Sequence, residues 1–342
     1  MKDIAVVGAG SWGTALSIVL ADNGYRVKMW SRNPNQAQEI NHQLTNKKYL
    51  PNIVLPHTIR ASTSLDDVLE NVDTILLVVP TKAMGEVLSL LSQKLKHPVT
   101  MVHASKGIEP DRLMRISELI TEAIDEKKLR SVVVLSGPSH AEEVSLRHPT
   151  TVTVSSHDAN ACRYVQNLFI NQYFRVYTNL DVIGVELGGA LKNIIAIGAG
   201  ISDGLGYGDN SKAALITRGL AEMTRLGEKM GAKPKTFSGL SGMGDLIVTC
   251  TSVHSRNWRA GHMLGKGMGL QEVLNEIGMV VEGVRTTKAG YQLSSKFQVD
   301  MPITKELYHV LFEGKNPKRA VDDLMARDRT HEFEDLHSPF CK

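Results

Sequence analysis

A chain of 342 residues, of which 42% are hydrophobic, is long enough for two domains with sizeable cores, and its composition excludes wholesale disorder. The formal net charge is only +3, which argues against a protein that coats nucleic acid. We therefore expect no nucleic-acid partner. The slight positive excess is compatible with an anionic substrate.

The start of the chain and its cysteines indicate the cellular compartment. Met1-Lys2-Asp3 leads directly into a strand-like run, which argues against a signal peptide. No continuous apolar stretch approaches the roughly 20 residues that a membrane span needs. The three cysteines, Cys162, Cys250 and Cys341, are widely spaced, which fits a reducing compartment better than a disulfide framework or a zinc site. We expect a cytoplasmic protein with no membrane span.

Strand-like and helix-like segments alternate in the first half of the chain. Short β-branched apolar runs recur at residues 4–7, 27–30, 74–79, 99–102, 132–135, 151–154 and 174–177. Continuous apolar runs of this length are typical of strands that are covered on both faces. Their alternation with helical segments predicts an α/β N-terminal domain over residues 1–180, with a Rossmann-like, mostly parallel, doubly wound sheet.

The strand signal fades after about residue 180. Long segments rich in Ala, Leu, Glu, Gly and Met follow, separated by Gly-rich turns. This composition predicts an all-α C-terminal domain over residues 181–330, which would carry substrate binding and catalysis. Residues 331–342 are polar, and we expect them to form an exposed tail.

A glycine-rich turn follows the first predicted strand, with the sequence Gly8-Ala9-Gly10-Ser11-Trp12-Gly13. In this G-x-G-x-x-G pattern, Gly8 permits a tight turn, Gly10 lets the backbone approach a pyrophosphate, and Gly13 allows close helix–strand packing. The helix that follows presents free N–H groups and its positive dipole end to the phosphates. Because the pattern lies between a strand and a helix, it predicts a dinucleotide site. The alternative is a turn that binds nothing.

The end of the second predicted strand bears on the choice of cofactor. An NAD-specific site usually has Asp or Glu there, whereas this chain has Ser31-Arg32-Asn33. A guanidinium matches the oxygens of a 2′-phosphate, so Arg32 favours NADP(H) over NAD(H). The alternative is a solvated surface arginine, which would leave NAD(H) usable.

Lys192 stands in an otherwise apolar helical segment. At helical spacing it shares a face with Gly188, Gly189, Ala196 and Ala199, and we expect these small neighbours to leave open space around it. A desolvated lysine has a lowered pKa and can exchange a proton with an alcohol or alkoxide. The alternative is a lysine whose ammonium group extends out of a buried helix to water.

A second polar cluster begins with Asp245 in a Gly-rich loop and continues with Ser255-Arg256-Asn257. Ser255 is a good N-cap residue, which would place Arg256 and Asn257 in the first turn of a helix. Free N–H groups, a guanidinium and an amide at one helix start form a ready anion site. Asp245 is a candidate to orient Lys192. An ordinary capped helix and an ordinary turn residue are the alternatives.

Two loops of the first half follow predicted strands and are therefore placed for ligand binding, because ligands of doubly wound folds lie at the carboxyl ends of strands. One contains Lys106, which can contact a phosphate or carbonyl oxygen, and the other is Ser136-Gly137-Pro138-Ser139. Both can also be plain turns. The scattered histidines show no metal-ligand spacing, so we expect no metal.

These segments together resemble the bacterial NAD(P)-dependent glycerol-3-phosphate dehydrogenases. The resemblance extends from Gly8 to about Gly314, nearly the whole chain. The matching motifs are GAGSWGTAL from Gly8, SKG from Ser105, SGPSHAEEV from Ser136, ELGGALKNIIAIGAG from Glu186, KAALITRGLAEM from Lys212, GMGDLIVTCTS from Gly242, SRN from Ser255 and VVEGVRT from Val280. A series of this length in a fixed order is far more specific than any one motif.

The resemblance implies an enzyme that interconverts dihydroxyacetone phosphate and sn-glycerol 3-phosphate, the backbone of phospholipids, and that acts as a homodimer. It implies that Lys192 is the proton acceptor at the C2 hydroxyl. The substrate-binding residues that it implies are Lys106, Gly137, Ser139, Lys192, Asp245, Ser255, Arg256 and Asn257. The cofactor-binding residues that it implies, beyond the three glycines, are Ser11, Trp12, Arg32, Tyr49, Lys106, Ala141, Arg256, Val280 and Glu282. One departure from the family pattern is His140, where an aromatic Phe is common.

Two other functions remain open at this point. One is a different two-domain NAD(P)-dependent dehydrogenase that acts on a hydroxyacid or ketoacid, which would need a carboxylate clamp. The other is a non-catalytic module that binds NADPH without turnover. Fold analogy alone excludes neither.

Overall fold

The structure is a computed structural model that describes residues 2–329 together with residues 331 and 332. The predicted polar tail, residues 331–342, lies outside the described residues except for His331 and Glu332, which are exposed. The strands of the described chain are β1 Asp3–Val7, β2 Arg26–Trp30, β3 Ile59–Ser62, β4 Thr74–Leu77, β5 Val99–His103, β6 Ile108–Glu109, β7 Met114–Arg115, β8 Leu129–Ser136, β9 Thr150–Ser155 and β10 Phe174–Asn179.

Helices alternate with these strands and then make up the rest of the chain. In chain order they are α1 Ser11–Asp22, α2 Pro34–Gln38, α3 Leu65–Leu69, α4 Thr81–Lys94, α5 Ile116–Ala123, α6 Ala141–Ser145, α7 Ala159–Phe169, α8 Val182–Gly204, α9 Asp209–Lys229, α10 Pro234–Phe237, α11 Asp245–Thr251, α12 Arg256–Gly265, α13 Leu270–Ile277, α14 Glu282–Phe297, α15 Pro302–Phe312 and α16 Pro317–Met325. Short π-helical turns lie at Glu39–Gln43 and Leu240–Gly244, and a 3₁₀ turn lies at Glu126–Lys128.

Eight strands form one sheet in the order β10-β9-β8-β5-β4-β1-β2-β3. All neighbours from β8 to β3 are parallel. Strand β9 pairs antiparallel with β8 and parallel with β10. The mostly parallel sheet predicted for the N-terminal half is therefore confirmed. The direction in which strands are added reverses between β1 and β4, and ligands of doubly wound sheets bind beyond the carboxyl ends of strands at such a point.

Each of the seven predicted apolar runs overlaps a strand of this sheet, but β3 and the small β6–β7 hairpin were not predicted. Strand β3 has only four residues, and buried Ile59 and Ala61 alternate with the more exposed Arg60 and Ser62. So short an alternation gives little sequence signal. Its pairing with β2 along the sheet edge is what makes it a strand.

The α/β domain buries both faces of its sheet, which explains why its strands are apolar without a break. Ile4 and Val6 of β1 pack on the side of α1 and α7. Ala5 and Val7 point to the other face and pack on the side of α3, α4 and α5. Successive side chains of a strand point to opposite faces, so a strand covered on both sides must be apolar at every position.

The helical domain is built around α8, which packs against α9, α11, α12 and α14. Glycines allow the closest of these contacts. An ideal Cβ on Gly200 would lie 2.0 Å from Trp258 O, and one on Gly261 would lie 2.0 Å from Ile197 O. The backbones of α8 and α12 therefore approach where neither helix has a side chain. The small residues along α8 are thus a packing feature of the core.

Helix α8 also departs from a sequence-based expectation. Among the described residues it is the one helix that is long and apolar enough to cross a membrane, with a mean hydropathy of 1.5. By length and composition alone, the expectation that the chain has no such stretch is therefore wrong. The mean hydropathy of α8 stays high in spite of the charged residues Glu186 and Lys192. Since 94% of its apolar window is buried inside the protein, α8 is a core helix.

The predicted boundary between the domains falls between the last strand and this helix. Strand β10 ends at Asn179, and α8 begins at Val182. The described residues that follow form no further strand of the sheet. An α/β domain is therefore followed by a helical domain, and the bounds 1–180 and 181–330 stay a prediction at the level of single residues.

Candidate active site

The glycine-rich turn connects β1 to α1, in the context that the sequence predicted. Gly8 has a φ of +121°, and an ideal Cβ there would lie 2.3 Å from Val78 O. A Cβ on Gly13 would lie 2.0 Å from Gly8 O, so α1 packs directly on the turn. At Gly10, in contrast, no heavy atom lies within 4 Å of an ideal Cβ. Two glycines thus permit the tight turn, and the third leaves room for a ligand against the backbone.

A cavity of about 1330 Å³ extends from this turn to the N-terminal end of α12. It is large enough for a dinucleotide together with a small substrate. The predicted site residues that line it are Gly8, Gly10, Ser11, Trp12, Gly13, Arg32, Tyr49, Lys106, Ser139, Ala141, Lys192, Asp245, Ser255, Arg256, Asn257, Val280 and Glu282. Gly137 is not among the lining residues, but its carbonyl oxygen accepts a hydrogen bond of 2.7 Å from Lys106 Nζ.

Two lysines share one carboxylate in this cavity. Lys192 Nζ of α8 lies 2.6 Å from Asp245 Oδ1, and Lys106 Nζ lies 2.8 Å from Asp245 Oδ2. Asp245 is the first residue of α11 and is 1% exposed. Lys106 belongs to the loop after β5, and its ammonium group also lies 3.3 Å from Ser139 Oγ. Asp245 therefore connects the cationic groups of both domains.

Burial and charge set the protonation of this cluster. Burial lowers the pKa of Lys192 to about 8, against the opposing effect of the Asp245 carboxylate. The expected desolvation of this lysine is thus confirmed. Burial alone would raise the pKa of Asp245, but the ammonium groups of Lys106 and Lys192 outweigh it and hold that pKa below its usual value. Asp245 is therefore ionised at neutral pH, and Lys192 titrates at about pH 8.

The expectation of open space around Lys192 is wrong at the two glycines. A Cβ on Gly188 would lie 2.6 Å from Ser241 O, and one on Gly189 would lie 2.6 Å from Ser136 Oγ. Neighbouring segments approach α8 closely and fill the space beside these two glycines. Lys192 is therefore desolvated by packed protein atoms, which gives the same direction of pKa shift by a different arrangement.

The start of α12 has the predicted cap. Ser255 is the N-cap residue, and its side chain accepts a hydrogen bond from Trp258 N. The N–H groups of Arg256 and Asn257, in the first turn, have no carbonyl partner within the helix. Arg256 is exposed at the cavity surface. A positive dipole end, free N–H groups and a guanidinium thus meet at one end of the cavity.

The side chain of Asn257 makes hydrogen bonds within the helical domain. Its Nδ2 donates to Asn193 Oδ1 at 2.8 Å, and its Oδ1 accepts from Gly283 N at 2.9 Å. One Nδ2 hydrogen and the backbone N–H remain for an anion. Asn257 therefore positions α12 as much as it offers a ligand contact.

The end of the cavity beside the glycine-rich turn contains residues from three segments of the α/β domain. Arg32 follows β2 and is exposed. Tyr49 lies in the loop between α2 and β3, and its carbonyl oxygen accepts a hydrogen bond of 3.2 Å from Ser11 Oγ. The loop that contains Tyr49 is thereby fixed to the start of α1, beside the glycine-rich turn.

The cavity also contains residues at the starts of two other helices. Ala141 begins α6, and Glu282 begins α14 directly after Val280 and Val281. Glu282 Oε2 accepts a hydrogen bond of 2.9 Å from Thr81 Oγ1, at the start of α4. Glu282 therefore contacts the α/β domain and lies where the domains meet.

Two residues of the site were missed in the sequence. Thr249 Oγ1 lies 2.7 Å from Lys192 Nζ and completes its polar surroundings with Asp245. Thr249 is four residues after Asp245, and helical spacing of that segment would have placed both on one face. Asn193 Nδ2 donates to Lys106 O at 3.3 Å, and its signal was a polar residue in an otherwise apolar helix.

Comparison with known families gives two matches that together cover most of the chain. Residues 3–162 match the N-terminal model of NAD-dependent glycerol-3-phosphate dehydrogenase, and residues 181–322 match the C-terminal model. The chain belongs to the NAD-dependent glycerol-3-phosphate dehydrogenase family. In this family's terms, the α/β domain corresponds to the N-terminal part and the helical domain to the C-terminal part.

Relatives and solved structures agree with membership in this family. The chain is 62% identical over 340 residues to the glycerol-3-phosphate dehydrogenase [NAD(P)+] of Bacillus pumilus (strain SAFR-032), with 99% of each chain covered. It is 64% identical over 334 residues to the protein of that name from Bacillus cytotoxicus, with 98% of each covered. The crystal structure of glycerol-3-phosphate dehydrogenase from Coxiella burnetii superposes with a TM-score of 0.91 at 40% identity, over 95% of this chain and 99% of that one.

Proposed function

We propose that this chain, as an NAD(P)-dependent glycerol-3-phosphate dehydrogenase, interconverts dihydroxyacetone phosphate and sn-glycerol 3-phosphate, with Lys192 as the group that exchanges a proton with the C2 oxygen. One observation carries the assignment of Lys192. A buried lysine with a pKa of about 8 lies 2.6 Å from an ionised carboxylate in the cavity that begins at the dinucleotide turn. A general acid or base acts best when its pKa lies near the working pH.

The roles of the neighbouring groups follow from their charges. In the direction of reduction, protonated Lys192 gives its proton to the C2 oxygen, and in the direction of oxidation neutral Lys192 takes it back. Asp245 keeps the ammonium group oriented, and Thr249 fixes it from a second direction. Lys106, anchored to Gly137 O and Asp245, would place a second positive charge beside the reacting oxygen. That charge stabilises an oxyanion as it develops.

The residues of the glycine-rich turn fit a dinucleotide, because the open side of Gly10 and the start of α1 offer backbone N–H groups to a pyrophosphate. When bound, the nicotinamide cofactor supplies or accepts the hydride at C2 of the triose. Arg32 would meet a 2′-phosphate, which supports a preference for NADP(H). Ser11, Trp12, Tyr49, Ala141, Val280 and Glu282 would complete the cofactor site.

The phosphate of the triose would bind at the start of α12. Arg256 and the free N–H groups of the first turn, capped by Ser255, offer charge and directed hydrogen bonds. Ser139, 3.3 Å from Lys106 Nζ, and Asn257, in the first turn of α12, also line the cavity and would contribute further polar contacts. A non-phosphorylated triose would lack these contacts and would bind poorly.

The resemblance also supports a homodimer in the cytoplasm that supplies glycerol 3-phosphate for phospholipid synthesis. The apolar helix α8 is compatible with this location because it is buried in the core. Size-exclusion chromatography with light scattering would test the dimer directly, because a monomer and a homodimer of a 37.5 kDa chain differ twofold in mass.

The test of the reaction is the oxidation of NADPH, and then of NADH, by purified protein with dihydroxyacetone phosphate. We expect rapid oxidation with this substrate and little with non-phosphorylated dihydroxyacetone. Oxidation of the cofactor with a non-phosphorylated ketoacid instead would assign the chain to another class of dehydrogenase. Binding of NADPH without turnover on any of these substrates would reduce it to a binding role.

A further inference from the structure

A buried carboxylate outside the cavity connects the two domains. Glu186 belongs to α8 of the helical domain, and its side chain is 4% exposed. All the groups that hold it come from the α/β domain. Its Oε2 accepts from Arg115 Nη1 at 2.6 Å and from Ser117 Oγ at 2.5 Å. Its Oε1 accepts from Ser117 N at 2.8 Å and lies 3.1 Å from His103 Nε2.

The carboxylate of Glu186 is charged in spite of its burial. Burial by itself raises the pKa of this group, but His103, Arg115 and Ser117 together lower it to about 2. Ser117 is also the second residue of α5, whose N-terminal dipole end favours a negative charge. A buried charge that accepts three hydrogen bonds in this way is a rigid connection, and removal of one partner is strongly unfavourable.

This connection acts on the elements that bear both lysines. His103 is the last residue of β5, three positions before Lys106. Glu186 lies six residues before Lys192, which is about 9 Å along α8. Asn193 is seven residues after Glu186 and therefore on the same face of the helix. It donates to Lys106 O at 3.3 Å. The face of α8 that docks on the α/β domain is thus fixed at two points on either side of Gly189.

We propose that Glu186 is a positioning residue for proton transfer: held by Arg115, Ser117 and His103, it fixes α8 against the end of β5 so that Lys192 and Lys106 meet on Asp245. This inference rests on the proposed function. Glu186 touches no reacting atom, and its effect passes through the relative position of the two domains. An error of about 1 Å in such a position lowers the rate by up to roughly a hundredfold.

The test is the variant Glu186→Gln, which keeps the shape of the side chain and removes its charge. We expect kcat for dihydroxyacetone phosphate to fall on the order of 10- to 100-fold, while the Kd for NADPH stays within about twofold, because the glycine-rich turn and most of the other proposed cofactor contacts belong to the α/β domain. We also expect the alkaline limb of the rate profile to shift, because a displaced α8 changes the burial and the Asp245 contact that set the pKa of Lys192. A merely smaller folded fraction would lower the rate without moving this limb.

Glu222→Gln is the matched control. Glu222 is also a buried glutamate, 1% exposed, but its partners Ile303 and Thr304 belong to the helical domain. We expect this control to leave the pH limb and kcat unchanged. Should Glu186→Gln fail to fold, Ser117→Ala removes a single donor and should move the limb in the same direction by a smaller amount.

The outcomes separate the two proposals. Wild-type protein that does not reduce dihydroxyacetone phosphate overturns the proposed function, whatever the variants do. Wild-type turnover, combined with a folded Glu186→Gln or Ser117→Ala variant that keeps the wild-type kcat and pH limb, overturns the positioning role alone. An equal shift in the Glu222→Gln control also overturns it.

Discussion

The ammonium group of Lys192 lies 2.6 Å from Asp245 Oδ1, although 53 positions separate the two residues in the chain. The opposite oxygen of the same carboxylate lies 2.8 Å from Lys106 Nζ of the other domain. One carboxylate therefore balances two cations at the junction of the domains. Lys192 is therefore both desolvated and oriented.

Replacement of the central lysine should stop the chemistry and spare the cofactor site. In Lys192→Ala we expect kcat to fall by roughly 10²–10⁴-fold, the range for loss of a general acid or base. The Kd for NADPH, measured by fluorescence titration, should be nearly unchanged. Asp245 keeps its partner Lys106, so the fold should persist, as thermal unfolding would check. Near-normal turnover would contradict the role of Lys192.

The two directions of the reaction should have opposite pH dependences. Burial lowers the pKa of Lys192 to about 8, so the protonated form dominates below this pH and the neutral form above it. For reduction, kcat/KM should be level below about pH 8 and fall above it, and for oxidation it should rise and level off above about pH 8. In Asp245→Asn both limbs should move to lower pH, because the carboxylate raises this pKa. Profiles without a limb between about pH 7 and 9 would refute the assignment.

Two glycines of the glycine-rich turn should respond differently to the same substitution. Gly10→Ala places a methyl group in open space, so the protein should fold normally and bind NADPH more weakly by on the order of tenfold. Gly13→Ala places it 2.0 Å from Gly8 O, so the fold itself should lose about 1–3 kcal/mol of stability. Thermal unfolding and NADPH titration of both variants separate the two effects. Unchanged NADPH affinity in Gly10→Ala would argue against a pyrophosphate at this turn.

Arg32 should determine how well the enzyme distinguishes the two cofactors. A charge-assisted hydrogen bond contributes roughly 1.5–3 kcal/mol, so Arg32→Asp should lower kcat/KM for NADPH by on the order of tenfold or more and change that for NADH little. Arg32→Lys retains the charge without the planar fork and should give an intermediate ratio. If the ratio of kcat/KM for NADPH to kcat/KM for NADH were the same in all three proteins, Arg32 would not contact a 2′-phosphate.

Glu222 should make the stability of the helical domain depend on pH. Burial raises its pKa to about 7, against the hydrogen bonds from Ile303 and Thr304. Between the ordinary glutamate pKa of 4.5 and about 7, the folded state binds more protons than the unfolded state, so this group's contribution to stability is lost as pH rises. The free energy of unfolding of wild type relative to Glu222→Gln should therefore fall by about 2 kcal/mol between about pH 5 and pH 7.5. Urea unfolding of both proteins at both pH values measures this change. A difference in the free energy of unfolding that stays constant with pH would show that Glu222 does not titrate in this range.

Much of the fold and part of the site could be predicted from local patterns. The unbroken apolar runs of β1, β2 and β5 reflect burial on both faces, which a strand records at every position. Gly8, Gly10 and Gly13 act through the backbone of one short turn, and Ser255 caps the helix that directly follows it. Each of these features joins residues that are close in the sequence, so spacing alone was enough to predict them.

The tertiary structure decided the arrangements that spacing does not encode. The short edge strand β3 exists through its pairing with β2. Thr249 meets Lys192 across 57 positions, and Arg115 meets Glu186 across 71. Gly188 and Gly189 make room for other segments of the chain rather than for solvent. Contacts of this kind depend on how distant segments pack, within each domain and between the two, and no local period records that packing. The sequence by itself therefore determined the parts of the site, while their meeting at Asp245 came from the fold.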